Sequence, residues 1–177
     1  VINLLNIFWL FPIHPILIIY QYCQLIIYKL LFYRTTLNIR GDIILGTTSR
    51  ADVVLRVDKN IRPRQWIIVP WVFLSSIPDG ESKINLMSLA RWSDFGWAFI
   101  HAWKASANCS EYGLHQENIL QTYTAFKWFF VWRVLKRSCE NATSIWFANH
   151  YDRWAVLIDR IPINVRKVML QHGLLYD

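Results

Sequence analysis

The last forty residues constrain the fold more than any other stretch. SIWFA, Ser144 to Ala148, is a short apolar run of strand length. NHYD follows as a polar loop. DRWAVLIDR, Asp152 to Arg160, has helical spacing, with Asp152 where an N-cap belongs. Pro162 in IPIN stops that helix. VRKVMLQ then supplies a second buried strand, Val165 to Leu170. Strand, helix and strand over about thirty residues make a βαβ unit. Two strands joined by such a crossover lie parallel in one sheet, and the crossover is right-handed in nearly all proteins. The expected fold class is therefore α/β, a Rossmann-like domain on a parallel sheet.

The middle of the chain fits that class. GDIILGTTSRADVVLRV holds two short β-branched runs. Gln65 to Leu74, QWIIVPWVFL, is another, and Pro70 removes its second half from any sheet interior. Ser76 to Lys83 is a turn cluster. Ile84 to Ser106 reads as one helix with a weak point at Gly96. His115 to Ser138 is the clearest helix, since Ile119, Leu120, Tyr123, Phe126, Phe130, Val134 and Leu135 recur at three- and four-residue spacing. Its second face mixes Trp128, Phe129 and Trp132 with Lys127, Arg133, Lys136 and Arg137. A basic-aromatic face suits a membrane surface, base stacking with phosphate contacts, or a protein partner.

The front of the chain is apolar. VINLLNIFWLFPIHPILIIYQYCQLIIYKLLFYR carries no charge before Lys29. That length of apolar sequence can anchor a protein in a membrane or lie on one as a helical pair. It can also be a core helix of a larger fold, because Pro12 and Pro15 interrupt it and Asn3, Asn6, His14, Gln21 and Gln24 are costly in lipid. The stretch that follows is basic, from Arg34 to Arg64, with only Asp42, Asp52 and Asp58 opposing it. If residues 1–33 anchor the chain, the positive-inside rule puts the rest in the cytoplasm. If they lie on the surface, the same cations meet anionic lipid, and otherwise they form a solvated face. The expected organisation is an apolar helical segment, 1–33, ahead of a Rossmann-like domain, 34–177.

Charge and cysteine usage narrow the chemistry. The formal charge of +7 suits anionic partners such as head groups, nucleotides or phosphorylated substrates. No RNA-recognition or zinc-finger pattern accompanies it, so nucleic acid is not an expected partner. Cys23, Cys109 and Cys139 are odd in number and widely spaced, with no CxxC. They read as free thiols facing the cytosol rather than a zinc or disulfide framework. The three aspartates of the basic stretch are too far apart for a metal cluster, and no Ser sits in a GxSxG context.

Two strands of the βαβ unit end in polar histidine loops: Asn149-His150 after the first, Gln171-His172-Gly173 after the second. Ligands of open parallel sheets bind beyond the carboxyl ends of the strands. Both loops are expected on that edge, facing one cleft. A histidine there can act as general base on a hydroxyl or steady a phosphate, since it titrates near neutrality. Gly173 lets the backbone approach a ligand closely. From spacing alone, His150 and His172 are equally well ordinary loop histidines. His101, in WAFIHAWKA, has the setting of a core or interface histidine rather than a ligand.

FANHYDRWAVLIDR and KVMLQHGLL together resemble the N-terminal domain of bacterial surface-polymer transferases with the two-Rossmann GT-B fold. That group includes capsule and lipopolysaccharide glycosyltransferases and polyol-phosphate transferases of the CDP-glycerol type. The resemblance covers about the last forty residues. It implies that His172 activates the acceptor hydroxyl, with Gly173 completing the motif; it carries over no role for His150 or Asn149, which are expected to line the substrate cleft with Gln171 because of their place at the strand ends. It implies a nucleotide-activated donor as substrate, no bound cofactor and no metal, and a polysaccharide or lipid-linked acceptor at the cytoplasmic face of the cell membrane. It also implies a second Rossmann domain holding the nucleotide; no Gly-rich phosphate loop for that role occurs in these residues, so domain 34–177 is expected to be cut short. Gln171 before the histidine and Leu174-Leu175 after it depart from the aromatic residue, small residue and proline usual in the polyol-phosphate enzymes. The departure favours sugar transfer, with polyol-phosphate transfer as the alternative. A non-enzymatic, membrane-peripheral binding module is the rival from another class.

Overall fold

The computed structural model describes residues 14–31, 39–46, 64–72, 77, 81–111, 125–149, 152–161 and 164–171. The chain divides into two compact units. One joins residues 1–31 to 91–133, and the other joins 32–90 to 134–177. In the chain the second unit is interrupted by residues 91–133, which are helical where described.

The unit of 32–90 and 134–177 carries a five-stranded, all-parallel sheet. Its strands are β1 (Gly41–Gly46), β2 (Arg64–Ile68), β3 (Ser82–Asn85), β4 (Ala142–Asn149) and β5 (Arg166–Gln171). Their order is β3-β2-β1-β4-β5. The first three strands step outward, and the chain then returns to place β4 on the other side of β1. That is the order of a doubly wound, Rossmann-like sheet. Ser144–Ala148 and the strand after Val165 are adjacent and parallel, as the sequence predicts, with the helix Asp152–Asp159 between them.

Local chemistry explains these elements. The strands are built from Ile, Leu, Val, Trp and Phe, the near-continuous apolar runs of a buried parallel sheet. Ile43, Ile44, Leu45, Trp66, Ile67, Ile145 and Phe147 are buried. Gly41 opens β1 with φ of 80°, in the left-handed region that glycine adopts without a Cβ penalty. The β1–β4 register shifts there, with Thr143 of β4 the extra residue between the Gly41–Ala142 and Asp42–Ser144 pairs. Beyond it the Ser144 hydroxyl donates to Asp42 Oδ1 at 2.5 Å and accepts from Trp146 Nε1 at 2.7 Å. Ile44, Trp66, Trp146 and Ala148 form a cluster on one face of the sheet, with Val168 and Leu170 against it. Trp66 Nε1 in turn donates to the Glu81 carboxylate.

β3 corrects one expectation. Ile84 and Asn85 belong to a strand, not to the start of a long helix. Asn85 then caps the short helix α2 (Leu86–Leu89; α1 is His14–Leu31), its Oδ1 accepting from the Met87 N–H at 2.9 Å. At the other end of α2, Arg137 donates to the Leu89 carbonyl at 2.7 Å.

The unit of 1–31 and 91–133 is helical where described. α1 is His14–Leu31, α3 is Trp92–Glu111, and α4 is Ala125–Ser138, whose last five residues belong to the sheet unit. Pro15 sits at the second residue of α1, where a missing N–H costs nothing. α3 begins with half of a capping box. The Arg91 N–H donates to the Asp94 carboxylate at 2.8 Å, and the Asp94 N–H donates to the Arg91 carbonyl at 2.9 Å. Asp94 is only 1% exposed and lies 3.6 Å from Arg133 Nε. The helices pack through aromatic rings: Tyr22 of α1 meets Phe95, Phe99 and Phe126. Phe95 meets Phe130 at 4.7 Å.

No helix among the described residues is long and apolar enough to cross a membrane. Residues 1–13 of the expected apolar segment lie outside the described residues.

Candidate functional site

At the carboxyl edge of the sheet β1 ends in Gly46, β4 in Asn149 and β5 in Gln171. β1 and β4 flank the point where the strand order reverses. In open parallel sheets that point opens the crevice that holds a ligand, because the crossovers on either side leave to opposite faces. β4, which precedes His150 in the chain, is one of the two strands at that point, and β5 is its outer neighbour. Nothing in GDIILG announces that β1 is the central strand. The chain continues from Gly46 into Thr47-Thr48-Ser49-Arg50, which lies outside the described residues.

Of the predicted site residues, Asn149 and Gln171 are described. They are direct register partners at the tips of neighbouring parallel strands. His150, His172 and Gly173 lie outside the described residues. Each histidine is the next residue in the chain after one member of that pair.

What holds the pair in place is the body of β4 and β5. The strands run in unbroken register from Ser144–Arg166 to Asn149–Gln171. Helix α5 (Asp152–Asp159) fixes the crossover by burying Trp154, Leu157 and Ile158, with Ile161 just beyond it. Lys167 Nζ donates to the Asp159 carbonyl at 2.6 Å, tying the end of α5 to the start of β5. A lysine at the amino end of the strand is thus structural. A groove of about 520 Å³ runs beside α5, lined by Phe147, Val156, Ile158, Lys167 and Met169 among others. Among the described residues its lining reaches Phe147 of β4 and Met169 of β5.

The other candidates resolve into packing. The basic-aromatic face of α4 is largely occupied from within its own unit. Trp132 stacks on Trp97 at 5.4 Å, and Phe129 meets the edge of Trp97 at 6.1 Å. The Arg133 guanidinium lies 5.3 Å from the centre of the Trp97 ring. His101 stacks on Trp97 of the same helix at 3.8 Å and lies 5.9 Å from Phe129 of α4. No group of His, Cys, Asp and Glu that could hold a metal ion occurs among the described residues. Cys23 is exposed and Cys139 buried, both as free thiols.

Comparison with family models, with curated proteins and with solved structures returns no match to this chain.

Proposed function

We propose that the chain is the acceptor-side domain of a nucleotide-sugar-dependent glycosyltransferase working at the cytoplasmic face of a membrane. One observation carries the reading. Two neighbouring parallel strands of a doubly wound sheet end in register at Asn149 and Gln171, and the next residue after each is a histidine. A buried strand that leads into His-Gly is what the resemblance implies for the acceptor side of a GT-B enzyme; His150, which follows the neighbouring strand, has no role in that resemblance.

In the proposed reaction the acceptor hydroxyl oxygen attacks the sugar carbon bonded to the nucleotide. His172 takes the hydroxyl proton as the new C–O bond forms. The bond from that carbon to the nucleotide's phosphate oxygen breaks, and the nucleotide leaves with the electron pair. A neutral imidazole suits the step because its ordinary pKa lies close to the working pH. His150, one strand away, is assigned to holding the acceptor. Gln171 and Leu174-Leu175 favour a sugar over a polyol phosphate as the group transferred.

The test is transfer itself. The protein, expressed from its complete reading frame, is incubated with isolated membranes and a panel of radiolabelled nucleotide sugars and CDP-polyols. Label from one nucleotide sugar should enter the lipid or polymer fraction. Incorporation from a CDP-polyol instead would move the assignment to polyol-phosphate transfer. No incorporation from any donor would sink the enzymatic reading.

A further inference from the structure

α1 is built inside out. Among its described side chains the buried ones, at four-residue spacing, are Gln21, Leu25 and Lys29, and the glutamine and the lysine are each only 4% exposed. Its outward arc carries Ile16, Ile19, Tyr20, Ile27, Leu30 and Leu31, from 50% to 70% exposed. A helix in contact with water shows the reverse pattern. Polar side chains turned inward and branched aliphatics turned outward are the pattern of a helix whose outer solvent is lipid.

α3 also turns large apolar side chains outward, although its buried side is mostly apolar, with Phe95, Ala98 and Ala102 beside Asp94. Trp92, Gly96, Ile100 and Trp103 share one helical face, and all are exposed. Arg91 and Lys104, both exposed, stand at the two ends of that stripe. Aromatic rings beside cations are what the head-group region of a bilayer favours. The only carboxylates in α1 and α3 are Asp94, which is buried, and Glu111 at the far end of α3. The two faces adjoin, since Trp103 stacks on Phe99 and Phe99 meets Tyr22 of α1.

We infer that these outward faces of α1 and α3 form a surface that inserts into one leaflet of an anionic bilayer, with the helices lying in its plane. The occupant is lipid rather than protein on grounds of charge. The rim cations have no exposed carboxylate beside them on α1 or along the stripe of α3, and the chain carries +7 overall. A span is not required: no helix among the described residues is long and apolar enough to cross. The inference deepens the membrane placement in the proposed function. It is independent of the transfer chemistry, because vesicle binding and turnover are read separately.

The experiment is co-sedimentation of the full chain with vesicles of phosphatidylcholine alone and of phosphatidylcholine with phosphatidylserine. Burying one large aliphatic side chain is worth roughly tenfold in partition, so Ile27→Ser with Leu31→Ser should weaken binding by about 10²-fold. Both positions are exposed, so folding should be unharmed, and circular dichroism checks this. Arg91→Gln and Lys104→Gln should each cost about fivefold on the phosphatidylserine vesicles and little on the neutral ones. Val156→Ser alters an exposed aliphatic of the sheet unit and should leave binding unchanged. A polarity-sensitive fluorophore on Cys23, within the α1 arc, should shift to the blue when vesicles are added, read in a Cys109→Ser background. Absence of vesicle binding by the folded chain would overturn the inference, as would binding indifferent to the α1 pair. A dimer in solution that the α1 pair dissolves, without vesicle binding, would assign the face to a second copy and overturn it too.

Discussion

Gly41 and Cys139 each carry a single-residue consequence of the fold. Gly41 holds φ of 80° at the register shift between β1 and β4. A β-branched side chain there meets its own backbone, so Gly41→Val should destabilise the chain by about 1–3 kcal/mol, read from denaturant midpoints. Cys139 is fully buried, and burial pushes its thiol up from 9.0 to about 12. The folded chain keeps that proton where the unfolded chain has released it. This part of the stability is therefore complete below pH 9 and is lost as the pH rises towards 12. Lys127 acts in the opposite sense, since burial lowers its pKa from 10.5 and the folded chain gives up its proton first. Comparing the wild type with Cys139→Ala across pH 9 to 12 isolates the thiol. The variant should lose less stability over that range, and equal slopes would contradict the assignment.

At the scale of elements, α3 carries the clearest test. The sequence marks Gly96 as its weak point, yet the helix runs unbroken from Trp92 to Glu111. The capping carboxylate of Asp94 and the rings of Phe95 and Phe130 hold that turn in place. Nothing lies within 4 Å of a Cβ added at Gly96. Gly96→Ala should therefore stabilise the chain by about 0.5–1 kcal/mol, seen as a higher thermal midpoint. What was legible in the sequence follows the same physics. Phe126, Phe130, Val134 and Leu135 gave away α4 because a helix with one buried stripe must repeat at three and four residues. SIWFA and VRKVMLQ gave away β4 and β5 because Pro162 and the polar residues His150 and Asp152 interrupt the apolar sequence between them. Ile84 was misread because a short apolar strand running into a short apolar helix has no period of its own to show the change. The Asn85 cap was the available signal. The outward faces of α1 and α3 were illegible as faces, since apolar residues stand on both sides of each helix and do not say which side is buried.

At the scale of the molecule, the two units interleave along the chain. The helical residues 91–133 are inserted between β3 and β4, at the step where the strand order reverses. No local pattern in the sequence foretells that the apolar front belongs with this insertion, because the association rests on long-range contacts such as those of Tyr22 with Phe95 and Phe126. The sheet unit supplies the proposed acceptor edge, and the helical unit the proposed lipid-facing surface. Loss of vesicle binding and loss of turnover are thus expected from different substitutions.

The central claim is that the edge formed by β4 and β5 presents a catalytic base, and the turnover number of His172→Ala tests it most directly. In the protein expressed from its complete reading frame, with the nucleotide-sugar donor identified by label transfer, the turnover number should fall by about 10²–10⁴. Donor KM should change little, because the nucleotide is assigned to the other domain. His172→Gln should fail to restore turnover, since an amide can hydrogen-bond but cannot take the proton, and His150→Ala should cost less. Turnover near that of the wild type in a well-folded His172→Ala would contradict the account and leave His172 as a strand-end histidine without a chemical role.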